Sequence, residues 1–227
     1  MKTQVLTDHP VAFHSPDHIQ AEHSGSGNDN SINPNFNAKL YQLYPGQKLS
    51  VLDLGCAGGG FVKSLIDDGH FAIGLEGSDY SKLRKRAEWA TIPDHLFTAD
   101  VTKPYAVMLT GDSPTDAMQP IKFDIVTCWE VMEHFSEAEL PGVIENVKNH
   151  LKEDGLWIMS VSTQSDGDNF HRCVRTRHWW LEMFAKNGWH HQEKELKHFG
   201  RDMVRGPHPT PWAITANDSF HLIMKRS

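Results

Sequence analysis

Residues 49–60 read LSVLDLGCAGGG, and residues 61–69 continue as FVKSLIDDG. A short apolar run ends in an acid, Asp53, and a turn rich in glycine follows it. Because glycine has no Cβ atom, such a turn lets the backbone approach a bound ligand closely. The residues after the glycines predict a helix. The stretch therefore predicts a strand, a ligand-binding turn and a helix, which together form the first unit of an α/β sheet.

Asp53 indicates which kind of ligand the turn binds. A phosphate prefers N–H donors at a helix N-terminus, so a carboxylate at the strand end suits a ligand that carries positive charge or hydroxyl groups. The run VLDLGCAGGG resembles the first motif of class I S-adenosylmethionine-dependent methyltransferases, in which an acid precedes alternate glycines. Asp53, Gly55 and Gly59 match this motif, while Ala57 takes the place of the middle glycine. The resemblance implies S-adenosyl-L-methionine as the cofactor.

A second acid follows the next predicted strand. Residues 71–76, FAIGLE, form a short apolar run that ends in Glu76, 23 positions after Asp53. This spacing suits an acid that accepts hydrogen bonds from both ribose hydroxyls of a nucleotide-like ligand. A third predicted strand, residues 95–99, is followed by Asp100. The family resemblance implies that Asp100 contacts the adenine amino group.

The order of predicted elements extends the resemblance over residues 49–225. A fourth strand at residues 123–128 precedes the run WEVMEHF, and a fifth strand follows at residues 156–161. Strand and helix patterns that alternate with short connections predict a mostly parallel sheet. Two last strands, from residue 189 to about 196 and at 219–225, are separated by a loop and predict an antiparallel pair. We therefore expect an α/β fold with a Rossmann-like, doubly wound, mostly parallel seven-stranded sheet that ends in this pair.

The cofactor pocket implied by the resemblance draws on all of these strand ends. Ligands in open α/β sheets bind at the carboxyl edge of the strands. The candidate cofactor-binding residues are Asp53, Gly55, Cys56, Ala57, Gly59, Glu76, Gly77, Asp100, Val101, Trp129 and Glu130.

Two histidines are candidates for a catalytic role. Methyl transfer from a sulfonium requires an aligned acceptor, and a hydroxyl acceptor also benefits from a general base. His134 follows the fourth strand, where the methyl group is expected, and imidazole titrates near neutral pH. His171 follows the fifth strand and is expected on the acceptor side. The alternative for His134 is a structural role in which it only packs beside the cofactor.

The run EVMEH also allows a metal-dependent alternative. Glu130, Glu133 and His134 are spaced so that they share one face of a helical turn, and two carboxylates with an imidazole suit a divalent cation. His171 is a candidate for a further ligand. This arrangement resembles the ExxEH element of metal-dependent small-RNA 2′-O-methyltransferases. Similar runs occur in metal-free methyltransferases of the same class, so the sequence predicts no resident metal.

Composition limits the classes of partner and compartment. The chain has 227 residues, 39% of them hydrophobic, and a formal charge of −7. The acidic balance disfavours broad electrostatic capture of nucleic acid or an anionic membrane, which favours a small-molecule acceptor. Three widely spaced cysteines without a CxxC pair fit a reducing compartment, and no apolar run is long enough to span a membrane. We expect a cytoplasmic protein whose oligomeric state the sequence does not define.

The domain organisation is expected to be simple. Residues 1–37 are polar and rich in His, Asn, Ser, Asp and Gly, which predicts a mobile tail. A lid that folds over the cofactor is the alternative for part of this tail. Residues 38–227 are expected to form one methyltransferase domain.

The function that follows is methyl transfer from S-adenosylmethionine to a small molecule, at an oxygen of a sugar or secondary metabolite. The chemistry of the acceptor atom is not fixed by any motif. A metal-dependent RNA 2′-O-methyltransferase is one alternative. A non-catalytic module that binds the cofactor is another, and an NAD-dependent oxidoreductase is a third, since Gly55, Ala57 and Gly60 fit a relaxed GxGxxG pattern.

Overall fold

A computed structural model describes residues 2–19, 29–111, 117–165, 169–206 and 219–227. In these residues the chain forms ten strands and seven α-helices. The strands are β1 (Lys2–Leu6), β2 (Ser50–Leu54), β3 (Phe71–Glu76), β4 (Leu96–Thr98), β5 (Ala106–Thr110), β6 (Gln119–Pro120), β7 (Phe123–Trp129), β8 (Leu151–Ser162), β9 (Trp189–His191) and β10 (Ser219–Arg226). The helices are α1 (Pro16–Ile19), α2 (Pro34–Leu43), α3 (Gly60–Asp67), α4 (Tyr80–Arg84), α5 (Leu140–His150), α6 (Arg177–Lys186) and α7 (Glu193–Phe199).

Seven of these strands form the central sheet, in the order β4-β3-β2-β7-β8-β10-β9. The pairs β3–β4, β2–β3, β2–β7 and β7–β8 are parallel, whereas β10 runs antiparallel to both β8 and β9. This confirms the expected fold class, including the antiparallel pair at the end of the chain. The strand order reverses between β2 and β7, and ligands of open α/β sheets bind at such a point.

Helices cover both faces of the sheet, as the alternation of apolar side chains along the strands requires. On β8, Trp157 and Met159 pack in the cluster that contains α5 and α6. Ile158, which lies between them, points to the opposite face and packs in the cluster that contains α2, α3 and α7. Strand side chains alternate between faces, so a strand segment that is buried on both faces is apolar at most of its positions. No helix among the described residues is long and apolar enough to cross a membrane.

The N-terminal residues form structure that the sequence did not predict. Lys2–Leu6 pairs antiparallel with Ala106–Thr110, which also pairs with β6 in a separate three-stranded sheet. The expectation of a mobile tail is therefore wrong for this segment, because its backbone hydrogen bonds are made with a partner strand about a hundred residues away. The expected boundary at residue 38 also lies inside α2, which begins at Pro34 behind the N-cap Asn33. Residues 20–28 of the expected tail lie outside the described residues.

Two further elements differ from the expectation. The sequence predicts one helix from Asp79 to Ala90, but α4 ends at Arg84 because Lys85 adopts a left-handed conformation, with φ of 49°, and a short 3₁₀ turn, Ala87–Ala90, follows. The strand predicted from Trp189 ends at His191, and the following residues form α7 (Glu193–Phe199). The expected loop between the last two strands therefore contains a helix, although β9 and β10 still pair antiparallel.

Candidate active site

One pocket lies at the carboxyl edge of the sheet, beside the reversal of strand order. The residues after β2, β3, β4 and β7 form most of its wall, and N-terminal residues close its other side. The predicted residues that line it are Gly55, Ala57, Glu76, Gly77, Asp100, Val101, Trp129, Glu130 and His134. A smaller adjoining pocket is lined by Asp53 and Cys56 and shares Gly55, Ala57 and Trp129 with the main pocket. Gly59 and His171 line neither of them.

The glycine-rich turn has the backbone shape that its composition predicts. Gly55 and Gly59 have φ angles of 74° and 85°, in the left-handed region that favours glycine. Ala57, at the position of the missing glycine, also adopts a positive φ of 46°. Its backbone N–H donates a 2.8 Å hydrogen bond to the Glu76 carboxylate, which helps to hold the turn in this strained form. Gly59, at the end of the turn, is the N-cap residue of α3.

Asp53 is 2% exposed at the carboxyl end of β2. The Thr127 hydroxyl donates a 2.6 Å hydrogen bond to the Asp53 carboxylate from the neighbouring strand β7. Burial removes the charged carboxylate from water and raises the pKa of Asp53 to about 7, although the Thr127 hydrogen bond opposes the shift. A cationic ligand would restore the charged form.

Glu76 is a second buried acid and lines the main pocket. The backbone N–H groups of Ala57 and Ser78 donate to its two carboxyl oxygens. Burial raises the pKa of Glu76 to about 7, the negative charge of Asp17 adds to the shift, and the backbone donors oppose it. Because each carboxylate oxygen accepts more than one hydrogen bond, Glu76 retains acceptor capacity for hydroxyl groups in the pocket.

Asp100 completes the row of acids along the sheet edge. It is 5% exposed, and one of its carboxyl oxygens accepts hydrogen bonds from the backbone N–H and the hydroxyl of Thr102. Its own N–H donates to the backbone oxygen of His9, in the N-terminal segment. Three acids predicted from the ends of three strands are thus brought to one edge.

The wall after β7 has an unusual backbone. Glu130 has a φ of 57°, and its N–H donates to both the backbone and the side-chain oxygen of Ser160 on the neighbouring strand β8. Burial raises the pKa of Glu130, while a hydrogen bond to Ser160 and the nearby His171 oppose the shift. The short 3₁₀ turn Met132–His134 follows and brings His134 to the pocket wall.

The two candidate histidines lie side by side. Their ring centroids are 4.8 Å apart, although the residues are separated by 37 positions of sequence. One ligand atom from each of His134, His171 and Glu133 lies within 4.8 Å of the others. Glu133 is fully buried; burial raises the pKa of its carboxyl well above the usual range, and the charge of Glu130 raises it further. The structure therefore groups three of the four residues named for the metal-dependent alternative.

Part of the pocket was missed by the interpretation of the sequence. Ala12 and residues 14–17 line its outer side, and the Ala12 N–H donates a 2.8 Å hydrogen bond to the Gly77 oxygen. Arg205 lines both pockets from the C-terminal part of the chain and forms an ion pair with Asp29. For the N-terminal residues, the sequence analysis gave only the alternative that part of the tail folds over the cofactor as a lid. Nothing in the local sequence around Arg205 indicated a pocket residue.

Comparison with known proteins gives the family. A family model described as "Methyltransferase domain" matches residues 30–202. The chain belongs to this methyltransferase family. This confirms the expected family, the class I S-adenosylmethionine-dependent methyltransferases.

A curated relative and several solved structures resemble the methyltransferase. The chain is 32% identical over 149 residues to a ubiquinone biosynthesis O-methyltransferase of Glaesserella parasuis serovar 5 (strain SH0165), a match that covers 65% of this chain and 58% of that protein. The chain thus spans little more than half the length of this relative. Magnesium protoporphyrin IX methyltransferase from Synechocystis PCC 6803, solved with bound SAH, matches with a TM-score of 0.56 and 17% identity, over 95% of this chain and 96% of that one.

A second solved structure supports the same fold. The TehB-like SAM-dependent methyltransferase from Corynebacterium glutamicum ATCC 13032 Kitasato matches with a TM-score of 0.54 and 16% identity. The match covers 94% of this chain and 98% of that one. At these identities the structural likeness shows the fold, and the acceptor has to be argued from the site.

Proposed function

We propose that this methyltransferase transfers the methyl group of S-adenosylmethionine to an oxygen of a small organic molecule. The observation that carries the proposal is a main pocket lined by two buried acids, Glu76 and Asp100, and by the imidazole of His134, with a third buried acid, Asp53, in the adjoining smaller pocket. The acids suit a cofactor that has hydroxyl, amino and cationic groups. The curated relative is named as an O-methyltransferase, which supports oxygen as the acceptor atom.

The cofactor is proposed to lie along the carboxyl edge of β2, β3 and β4. Glu76 would accept hydrogen bonds from the ribose hydroxyls, and Asp100 from the adenine amino group, with Val101 beside the adenine ring. Asp53 would face the positive amino end, in the smaller pocket that also contains Arg205. In this arrangement the sulfonium would lie near Trp129 and Glu130, which line the pocket at and after the end of β7.

The reaction at the sulfonium is a displacement. A lone pair of the acceptor oxygen attacks the methyl carbon, the carbon–sulfur bond breaks, and its electron pair returns to sulfur as S-adenosylhomocysteine. The acceptor hydroxyl loses its proton. His134, which lines the pocket, is proposed to activate this hydroxyl together with His171, whose ring centroid lies 4.8 Å from that of His134. Proton removal contributes about 10²- to 10⁴-fold in such reactions.

The wall at the acceptor end favours a small molecule with an apolar body. Trp129, Val131 and Phe135 line the pocket beside His134, and such mixed walls are typical of small-molecule sites. The formal charge of −7 gives no broad attraction for RNA. A cytoplasmic location is part of the proposal, supported by three buried cysteines that form no disulfide.

Calorimetric titration of the purified chain tests the cofactor assignment. We expect S-adenosylmethionine and S-adenosylhomocysteine to bind and NADH to show no heat of binding. Binding of NADH alone would favour the oxidoreductase alternative instead.

An acceptor screen with methyl-labelled S-adenosylmethionine tests the reaction itself. Phenols, hydroxylated quinols and sugars are compared with amines and with short RNA duplexes. Label transfer to a small hydroxylated compound supports the proposal. Transfer to RNA alone would favour the nucleic-acid alternative, and cofactor binding without transfer to any acceptor would favour a non-catalytic module.

A further inference from the structure

Arg205 is the one arginine or lysine that lines either pocket in the described part of the chain. Acids make up much of the remaining polar lining, namely Asp17, Asp29, Asp53, Glu76, Asp100 and Glu130. The cofactor carries two positive groups, the sulfonium and the α-ammonium, and one negative group, the α-carboxylate of its methionine part. A permanent cation among several acids matches this pattern of charges, because arginine stays protonated in proteins.

The smaller pocket combines charges of both signs. Asp53 and Arg205 both line it, together with Asp29. The α-ammonium and the α-carboxylate of an amino acid are attached to the same carbon atom, so a site for this end of the cofactor needs an anion and a cation close together. In the arrangement proposed above, Asp53 faces the amino group. The guanidinium of Arg205 is then the group in the same pocket that can bind the carboxylate.

Buried contacts hold the backbone on both sides of Arg205. Met203 and Val204 are 1% and 5% exposed and pack in the cluster that contains α2, α3 and α7. The side-chain amide of Asn33 donates a 2.9 Å hydrogen bond to the Met203 carbonyl oxygen. The carbonyl oxygen of Arg205 itself accepts a 2.7 Å hydrogen bond from Nε2 of His221 on β10. The guanidinium therefore extends from a backbone that is already fixed, which lowers the entropy cost of ordering it around a ligand.

Asp29 orients the guanidinium and leaves most of its donors available. Oδ2 of Asp29 forms an ion pair with Nη1 of Arg205. Oδ1 of Asp29 accepts hydrogen bonds from the N–H and the hydroxyl of Ser31, at 3.1 and 2.6 Å. Among the described residues, Nη1 is the one guanidinium atom of Arg205 in a hydrogen bond. Because a guanidinium has five N–H donors in a fixed fork, Nε and Nη2 are available for the two oxygens of a second carboxylate.

Asp29 packs directly on the glycine-rich turn. Its backbone oxygen accepts hydrogen bonds from the Gly58 N–H and from Nη1 of Arg86, at 3.1 and 2.9 Å. A Cβ atom at Gly58 would lie 2.7 Å from this oxygen and 2.5 Å from Oδ1 of Asn30. Only glycine therefore fits at position 58 without a shift of this segment. The turn thus holds Asp29 at the smaller pocket, and Asp29 in turn holds Arg205.

We propose that Arg205 binds the α-carboxylate of the cofactor's methionine part through Nε and Nη2, with Asp29 as the residue that positions the guanidinium. The inference rests on the cofactor placement proposed above and adds to it a residue that selects the ligand by its carboxylate. Arginine suits this role because its planar fork matches the two oxygens of a carboxylate. A ligand with the same adenosine and amine but no carboxylate loses both hydrogen bonds. The site therefore discriminates against decarboxylated forms of the cofactor.

Calorimetric titration with two ligands tests the role of Arg205. S-adenosylhomocysteine is compared with its decarboxylated form, which keeps the adenosine, the sulfur and the amine. We expect the wild type to bind S-adenosylhomocysteine at least about tenfold more tightly, because hydrogen bonds between charged groups are the strong ones. Arg205→Gln should remove this preference by weakening S-adenosylhomocysteine alone. The decarboxylated form should bind as it does to the wild type, which also shows that the pocket is intact. Arg201→Gln changes an exposed arginine of the same segment that lines neither pocket, and it is the matched control.

Asp29→Asn tests the positioning role. It should weaken S-adenosylhomocysteine by about threefold to tenfold and leave the decarboxylated form unchanged. Because Asp29 acts through Arg205, the same substitution should have no further effect in the Arg205→Gln protein. An equal loss for both ligands in Asp29→Asn would contradict this role. Arg205→Lys keeps the charge but not the fork, so it should retain part of the preference, and it provides the test if Arg205→Gln does not fold.

Three results would overturn the assignment of Arg205. The first is an equal loss of affinity for both ligands in Arg205→Gln, which would mean that the residue only supports the pocket. The second is unchanged binding of both ligands in this variant, and the third is a wild type that binds both ligands equally well. The titrations contain no acceptor, so a failed acceptor screen would contradict the proposed function and leave this assignment intact. A wild type that binds neither ligand would contradict the cofactor placement, and the assignment with it.

Discussion

The two ends of the pocket are built in different ways. At the cofactor end, Glu76 and Asp100 follow consecutive strands of the sheet, and backbone N–H groups close by in the fold donate to their carboxylates. At the acceptor end, Glu130 and Glu133 each retain a buried oxygen without a partner in the described residues. The carboxylates at the cofactor end are thus held by hydrogen bonds within the chain, whereas those of Glu130 and Glu133 are only partly satisfied by the residues that the structure describes.

The largest expected effect is at the cofactor end. Glu76→Ala should weaken binding of S-adenosylhomocysteine by roughly 10²- to 10³-fold, since each hydrogen bond to a charged group contributes about 1.5–3 kcal/mol. Calorimetric titration measures the loss. Glu182→Ala, which changes an exposed glutamate on α6, is the matched control. A loss of affinity below threefold in Glu76→Ala would contradict the claim that Glu76 is a main ligand at the cofactor end.

The glycine turn provides a pair of substitutions that separates backbone strain from packing. Gly59 and Gly69 have similar φ angles, 85° and 89°, so alanine is strained by about 1–3 kcal/mol at either position. A Cβ atom at Gly59 would lie 2.6 Å from Leu96 Cδ1, whereas at Gly69 no atom lies within 4 Å. Gly59→Ala should therefore lower the free energy of unfolding by roughly 1–3 kcal/mol more than Gly69→Ala. Urea unfolding of the two variants provides the comparison, and equal losses would contradict close packing behind the turn.

Cofactor binding should depend on pH near neutrality. The pKa values of Asp53 and Glu76 are both raised to about 7 by burial, so both carboxyls gain charge between pH 6 and 8. In the proposed site their ionised forms bind the cationic cofactor, so affinity should rise over this range by up to about tenfold for each group. Asp53→Asn should flatten the profile, as measured by titration at several pH values. A profile that is unchanged in this variant would exclude Asp53 as the cause.

Stability of the cofactor-free protein should change in the opposite direction. The pKa values of Asp53 and Glu76 are higher in the folded than in the unfolded chain, so their protonated forms favour the folded state. Their contribution to the free energy of unfolding is fully present below the unfolded-state pKa of about 4, and it is lost as pH rises to about 7. The midpoint of urea unfolding should therefore decrease over this window in the wild type, and less steeply in Asp53→Asn.

The smallest expected effect comes from the N-terminal segment. The negative charge of Asp17 contributes to the raised pKa of Glu76. Asp17→Asn should shift the midpoint of the pH profile of cofactor binding to lower pH by a few tenths of a unit, which corresponds to less than about 1 kcal/mol. Asp67→Asn changes an exposed acid on α3 and is the control. A shift to higher pH would mean that Asp17 stabilises the ionised form of Glu76 indirectly.

The same contrast explains how far the sequence predicts the site. Asp53, Glu76 and Asp100 were placed correctly at one sheet edge because each follows a strand and the carboxyl ends of parallel strands share an edge. The residues 12–17 and Arg205 were missed because they reach the pocket by tertiary contacts, such as that between Asp29 and Arg205. The proximity of His134 and His171 was suggested only as one alternative, since it depends on how two loops fold against each other.

The prediction of the fold succeeded where the signal is local in sequence, and it failed where the structure depends on distant contacts or on backbone conformation. The central sheet follows from apolar runs separated by helix patterns, and each of its seven strands was predicted, although β9 ends at His191 and not near residue 196. Strand β1 was missed because its partner, β5, lies about a hundred residues away in a connection that has no clear pattern of its own. The end of α4 at Lys85 depends on a left-handed backbone at a residue type that gives no local signal.

Cofactor titration of two glutamine variants tests the central claim most directly. S-adenosylhomocysteine is titrated into the wild type, Glu76→Gln and Glu133→Gln, with the fold of each checked by circular dichroism. The distinction between the two ends predicts that Glu76→Gln loses at least about tenfold in affinity, whereas Glu133→Gln binds as the wild type does. Equal affinities in all three proteins, or a loss confined to Glu133→Gln, would contradict it.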